Sequence, residues 1–458
     1  MSEAPQAEGK KIFEHLPYAA FDPQVDLYIY SRTFGMGLDS AVPLEYSGWR
    51  DEEASWKKTC YVHAGLNPAP TFRVKGPDAL KFFSDHCVNS FTKFSVGALK
   101  HGIMCNERGL VMAHGVLMRE AEDEFVSYFL APYAAYRFYA GGYDAQGEWV
   151  NDRFMLQVAG PRSLEVLETA TGDCLHDLKF GHHRRSAVQG IEVRIARMGM
   201  AGTLGYEVHG PAAEAVPLYN AILAAGELFG IVKLGWRAWQ MHHTANGFPQ
   251  SFVHFPLPWG EDKGFMAFMQ MPPELDRFPT TLAGSMGPDI NLRYRNPVEL
   301  GWGSAVKFDH GFTGRAALEQ EVAHPRRQMV TLVWKPEDVV DVYASQFREG
   351  DPHPWMDLQH LGQHQGQNIL HADQVLKDGK LVGVSSGRQY SAYFRAMLSL
   401  CSIDVQQGEL GNEVVVLWGD PGTRQKEIRA TVARFPYLDE GRNEDVDLST
   451  IPCLAKKR

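Results

Sequence analysis

The same short plan is written twice in this chain. Phe72-Arg-Val-Lys-Gly-Pro-Asp-Ala-Leu-Lys-Phe-Phe83 and Leu156-Gln-Val-Ala-Gly-Pro-Arg-Ser-Leu-Glu-Val-Leu167 each run from an apolar strand through Gly-Pro into a helix with apolar spacing. Pro77 and Pro161 suit a first helical turn, where the missing N–H costs nothing. Two units 84 residues apart predict related α+β halves, because a solenoid would need shorter and more numerous repeats.

The segments around the repeat fill in those halves. Gly102 to Met118 and Glu124 to Leu130 read as strands, with Asn106-Glu-Arg-Gly109 as the turn, and Glu192 to Met198 as another strand. Pro211 to Gly230 is the clearest helix: Leu218, Ile222, Ala225 and Phe229 recur at 4-3-4 spacing, and Gly230 supplies a stop. Pro249 to Pro297 reads as a long loop with short elements. From Gln328 onward the pattern becomes short β-like runs at 330–334, 381–384, 398–403, 413–418 and 428–435, which predict a sandwich or barrel. Residues 345–372, rich in Gln and His, read as an insertion in it. The domain division expected is 1–70 plus 152–260, then 71–151, a connecting 261–327, and a β-rich 328–458.

Composition narrows the function classes. With 44% hydrophobic and 22% charged residues, the 458-residue chain is neither disordered nor a small disulfide scaffold. A net charge of −10 argues against a polyanion-binding surface without excluding a local cationic pocket, so no nucleic-acid partner is expected. No two of the six cysteines form C-x-x-C, which fits reduced thiols rather than a zinc or redox motif. The polar N-terminus has no signal-peptide core, and the richest apolar stretch, Val216 to Trp236, is broken by Glu227 and Lys233. The expectation is a cytoplasmic protein with no membrane partner and no metal; the oligomeric state is left open. His353, His360, His364 and His371 read as a solvated loop rather than a ligand set.

Phosphate-loop, dinucleotide, zincin and serine-hydrolase motifs are all missing. The informative segment is Met198-Gly-Met-Ala-Gly-Thr-Leu-Gly-Tyr-Glu-Val-His-Gly-Pro211, where a strand enters, a Gly-rich turn follows, and Glu207 sits between Tyr206 and Val208. A glutamate there is either an edge residue facing water or a half-buried carboxylate that needs paired donors, such as the N–H edge of a planar heterocycle. The aromatic-rich segment from Asp26 to Trp56 is either a cover laid over a core or a pocket wall.

Met200-Ala-Gly-x-x-Gly-Tyr-Glu-Val208, Leu156-Gln157-Val-Ala-Gly-Pro161, Gly235-Trp-Arg237, Gly383-x-Ser-Ser-Gly387 and Val306-Lys-Phe-Asp-His-Gly-Phe-Thr-Gly-Arg315 together resemble the glycine-cleavage T-protein (aminomethyltransferase) family. Leu332-Val-Trp334 with Val342-Tyr-Ala-Ser-Gln-Phe347 is most similar to its tetrahydrofolate-dependent aryl O-demethylases. The resemblance implies an α+β, three-domain aminomethyltransferase-like fold around a central folate site, with a C-terminal β-barrel or sandwich. It also implies that Glu207 holds the pterin, with Gln157, Arg237 and Tyr206 beside it, and that Phe248 stands where a Trp stacks on it.

The departures matter as much. The stretch where the aminomethyltransferases carry a catalytic Asp reads Val111-Met-Ala-His114, which points away from aminomethyl transfer. Trp239 replaces the catalytic Tyr of the vanillate-type enzymes and Leu130 their substrate-binding Arg, while Tyr30 matches a Tyr of the N-terminal segment. Expelling a phenoxide, with a conjugate acid near about 10, calls for a proton donor at the ether oxygen. His243, His242 and Tyr30 are the candidates for that donor, and Trp239 and His114 for the substrate pocket. The expected reaction is methyl transfer from a small-molecule methoxyaromatic acid, of syringate, 3-O-methylgallate or chlorinated methoxybenzoate type, to tetrahydrofolate. A sulfonium demethylase of the dimethylsulfoniopropionate type and a non-catalytic folate-binding protein are the rivals.

Overall fold

The computed structural model describes residues 27–32, 39–67, 69–272, 275, 280–359, 363–364 and 367–455. Both repeat units fold as their sequences predict. Thr71–Lys75 leads through Gly76-Pro77 into the helix Ala79–His86, and Arg153–Ala159 leads through Gly160-Pro161 into the helix Ser163–Thr171. The glycine of each turn is forced. Gly76 (φ 139°) and Gly160 (φ 124°) leave no room for a side chain: a Cβ would stand 2.7 Å from Ala145 Cα and 2.5 Å from Thr59 O respectively.

Each unit builds its own sheet. The first unit joins a five-stranded sheet in the order Leu99–Cys105, Val111–Ala121, Glu124–Tyr128, Thr71–Lys75, Gln146–Trp149. The second joins a six-stranded sheet, His183–Val188, Ile191–Ala196, Gly205–Pro211, Arg153–Ala159, Cys60–His63, Ile231–Lys233, in which the last pair is parallel. The helix predicted over 211–230 runs Ala215–Gly226 and tightens through Glu227–Phe229 before stopping at Gly230 in the left-handed region. It packs beside Ser163–Thr171 on one face of the six-stranded sheet. Strand alternation then sorts the residues of Gly205–Pro211. Tyr206 opposite Val158 and Val208 opposite Leu156 point into that core, at about 1.5–3 kcal/mol for each buried apolar side chain. Glu207 opposite Gln157, and His209 opposite Met155, face the other way.

The two sheets meet where Val116, Met118, Val126 and Tyr128 of one pack on Met155 and Ala196 of the other. Glu120 bridges them, accepting from Arg153 at 2.6 Å and lying 3.1 Å from Arg194.

The C-terminal strands form a closed six-stranded barrel: Gln367–Lys377, Lys380–Ser391, Ala396–Asp404, Arg327–Trp334, Lys426–Ala433 and Glu413–Trp418, closed by Val375 pairing with Val416. Residues 345–372 are therefore not one insertion. The helix Pro336–Ser345 ends at their start, and 367–372 belong to a barrel strand, where His371 stacks on Trp418 at 4.9 Å. Alternation was hidden there by the polar Gln-Asn and His residues. The Gly-x-Ser-Ser-Gly segment of the strand Lys380–Ser391 presses on the six-stranded half: the Gly387 carbonyl accepts a 2.7 Å hydrogen bond from Thr244 on the helix Trp236–Asn246. Among the described residues no helix is long and apolar enough to cross a membrane.

Candidate active site

Helix Trp236–Asn246, the two sheets and the segment 442–444 enclose a cavity of about 420 Å³. Glu207 and Gln157 are on its wall, 2% and 1% exposed. The Gln157 amide is oriented from outside. Trp239 Nε1–H donates to Gln157 Oε1 at 3.0 Å, so the amide nitrogen turns to Glu207 Oε1 at 3.3 Å. His209 Nε2 lies 3.2 Å from Glu207 Oε2 and donates to it. Trp239 is itself held flat, stacked between Trp236 at 4.6 Å and His63 at 5.5 Å.

From Trp239 a row of rings crosses the cavity: His243 at 4.5 Å, then Phe248 at 6.1 Å, then His101 at 5.0 Å from Phe248. His101 Nε2 meets His114 Nδ1 at 3.3 Å, and Trp302 closes on both rings at 4.7 and 4.8 Å. Phe129 and Phe252, which also line the cavity, hold φ of 66° and 64°, backbone that non-glycine residues rarely adopt and that clusters at functional sites.

The protonation states follow from burial. Burial lowers His243 to about 3 and His101 to about 4, and drives His114 well below its ordinary value, so all three are neutral near pH 7. The Phe248 carbonyl can only accept, so His243 Nδ1–H donates to it at 3.1 Å and Nε2 carries the lone pair. Among the described residues Nε2 has no partner. His243 thus offers the cavity an acceptor, not the proton donor expected of it.

Three further expectations are corrected. His242 lies on the far side of the helix, fully buried against Trp56 at 5.5 Å and Trp239 at 5.8 Å, and is not on the cavity wall. Arg237 pairs with Glu45 at 2.7 Å, clamping the helix to the strand Asp39–Glu45, and is not on the wall either. Tyr206 points into the core by strand alternation. Phe248, Trp239 and His114 do line the cavity. Tyr30 falls on the strand Leu27–Arg32, opposite Ala41, and its side chain lies outside the described residues.

Sequence reading missed His101. The signal was a repeated His-Gly across one hairpin: Gly102 pairs with Gly115, which sets His101 and His114 diagonally on one face. Leu130 is buried behind Gly102 and leaves the wall. Among the described residues the lining cations are Lys100, whose ammonium is 5.3 Å over Phe94, and Arg442, which donates to Asn246.

Residues 42–251 match the GCVT N-terminal domain. The chain is 45% identical to a sesamin methylene transferase of a Sinomonas species, over 90% of this chain and 93% of the relative. It is 31% identical to a syringate O-demethylase of a Sphingobium species, over the same shares. The fold also matches a glycine-cleavage aminomethyltransferase of Bartonella henselae, with TM-score 0.65, 18% identity, and 91% and 95% of the two chains covered.

The chain belongs to the GCVT, or aminomethyltransferase, family. It is a transferase whose cofactor is tetrahydrofolate. The wall fits that group on its own terms. Besides the Glu207 carboxylate, Gln240 Oε1, Gln250 Oε1 and His243 Nε2 are buried acceptors on the cavity with no partner among the described residues. A reduced pterin, rich in N–H donors, would satisfy such a set.

Proposed function

We propose that this enzyme moves a one-carbon unit from an aromatic ether to tetrahydrofolate, the ether being a methylenedioxy or methoxy group on an uncharged ring. Glu207 and Gln157 would hold the pterin, oriented through Trp239, with Phe248 as an apolar face against it. When bound, tetrahydrofolate supplies an amine nitrogen able to accept the carbon.

The His101–His114 pair carries this reading. The two rings share one N–H across their 3.3 Å contact. When His101 donates, His114 keeps its proton on Nε2, a buried donor with no partner among the described residues. Placed at the ether oxygen, it would stabilise the departing phenoxide by hydrogen bonding, without an imidazolium. Trp302, Phe248 and Phe255 around the pair make a dry aromatic box suited to a flat ring.

The aromatic acid expected from sequence needs a cation at the donor end, and the buried Leu130 gives none. The relative named for methylene transfer from sesamin supports an uncharged methylenedioxy ring. A benzoate remains the second reading because the Lys100 ammonium borders the same cavity, where burial lowers its pKa.

The test is a substrate panel with tetrahydrofolate, followed by mass spectrometry of both products. It should contain a methylenedioxyphenyl lignan, a neutral methoxyarene, syringate, a chlorinated methoxybenzoate and dimethylsulfoniopropionate. Release of a catechol or phenol from the uncharged ethers, several-fold faster than from the acids, is expected. Turnover of the acids alone would overturn the uncharged-ring assignment, and turnover of the sulfonium alone the ether assignment.

A further inference from the structure

At the end of the helix Ser163–Thr171, three neighbouring side chains meet one from near the C-terminal end of the described residues. Glu168, Cys174, His176 and Cys453 place one ligand-type atom each within 4.8 Å of all the others. We propose that they form a binding site for a zinc-type divalent cation, which fastens the C-terminal segment to the six-stranded half.

The hydrogen bonds set up the donors. His176 Nε2–H donates to the Ile451 carbonyl at 2.9 Å, which in the neutral ring would leave the lone pair on Nδ1. An outer N–H tied to a backbone carbonyl is how metal-bound imidazoles are commonly fixed. That Nδ1 faces Glu168 Oε1 at 2.8 Å and Cys174 Sγ at 3.7 Å. Glu168 is fully buried, and its carboxylate is held by the Leu175 and Leu454 N–H groups, each at 2.7 Å. In the metal-free site a proton on Nδ1, donated to Glu168, balances the carboxylate; a cation would displace that proton and take the lone pair, the carboxylate and the two thiols as ligands.

The sulfur contacts are near those of a tetrahedral ion, and the 2.8 Å nitrogen–oxygen contact would open by about 0.5 Å to admit one. Zinc bond lengths imply edges of about 3.8 Å between two sulfurs, about 3.6 Å between sulfur and nitrogen, and about 3.3 Å between nitrogen and oxygen. Cys174 and Cys453 Sγ are 3.5 Å apart, too far for a disulfide bond of about 2.05 Å. Two sulfurs, one imidazole and one carboxylate make a borderline-soft set that favours zinc over magnesium or calcium. Cys174 and Cys453 are 279 positions apart, which is why no sequence spacing announces the site.

Its consequence is mechanical. The segment it would fasten runs back through Asn443, whose carbonyl accepts from Arg197 at 2.6 Å, to Arg442, Asn443 and Glu444 on the cavity wall. The ion would hold that stretch of wall in place without touching a reactant.

The full-length protein, incubated with zinc and gel-filtered, should retain about one zinc per chain by elemental mass spectrometry. Cobalt(II) in its place should give the visible absorption of a tetrahedral thiolate site. Cys174 and Cys453, the exposed cysteines, should then resist a thiol reagent. Cys174→Ser and, separately, the surface variant Cys453→Ser should each lose most of the metal, and protease should trim the C-terminus faster. No retained zinc with both thiols freely reactive would overturn the site, as would a Cys174–Cys453 disulfide in the protein as isolated. Undiminished zinc in both variants would do the same.

Discussion

The two α+β halves share a strand, a Gly-Pro turn and a helix, yet turn opposite chemistries toward one cavity. The half built on Arg153–Ala159 and Gly205–Pro211 presents a carboxylate and an amide, fixed by neighbours that donate to them. The half built on Leu99–Cys105 and Val111–Ala121 presents two imidazoles, both neutral, in an aromatic box. One topology therefore supplies two walls, and in the proposed reaction it is residue type alone that suits the first to a donor-rich ring and the second to a departing oxygen. That division of labour predicts that the halves can be damaged separately.

The largest effect belongs to the acidic wall. Glu207→Ala should weaken tetrahydrofolate binding by about 100-fold or more, since a hydrogen bond to a charged group is worth roughly 1.5–3 kcal/mol and two are removed. Calorimetric titration reads this directly, and a change below about threefold would end the assignment.

Damage to the imidazole wall should be nearly as large but of another kind. His114→Ala is expected to slow turnover by about 100-fold, the low end of what losing one hydrogen-bond donor to a developing oxyanion costs, with folate affinity within about twofold of the parent. A matching loss of affinity would mean that the two walls are not separate.

A pH profile sharpens that result. With His101 near 4 and His243 near 3, neither is an imidazolium at neutral pH, so turnover should not decline as pH rises from 6 to 8. A decline centred near 6.5 would restore an imidazolium acid. The same groups set a stability trend. Their unfolded forms bind protons near 6.5 and their folded forms only near 4 or below, so the unfolded state binds more protons between those limits. Stability should fall as pH is lowered through that window, seen as a falling Tm.

Smaller again is Trp239→Phe, which keeps the stack but removes the N–H holding Gln157. One neutral hydrogen bond of about 0.5–1.5 kcal/mol corresponds to a loss in folate affinity of about 2- to 12-fold. Least of all, Arg237→Ala should leave folate affinity and turnover within about twofold. Its pair with Glu45, part-exposed on the arginine side, is worth about 1 kcal/mol, a Tm change of a few degrees at most.

Much of the fold was written in local pattern. The repeated Gly-Pro units, the helix stopping at Gly230 and five of the six barrel strands each depend on neighbours within a few residues and form where the pattern puts them. Gln367–Lys377, whose polar start breaks the alternation, does not announce itself. Glu207 and Gln157 were legible because they lie beside those patterns, and strand pairing set them opposite each other. The sequence by itself thus determined the two halves, most of the barrel and the carboxylate between Tyr206 and Val208. Which face a helix residue shows was settled only by tertiary packing: His243 reaches the cavity while His242, one residue earlier, is shut behind Trp56. Tertiary packing also brought His101 to His114 and gathered Cys453 with Cys174, contacts between residues whose spacing along the chain carries no information about their distance. Protonation was decided there too, because burial, which no local pattern encodes, is what keeps the cavity's histidines neutral.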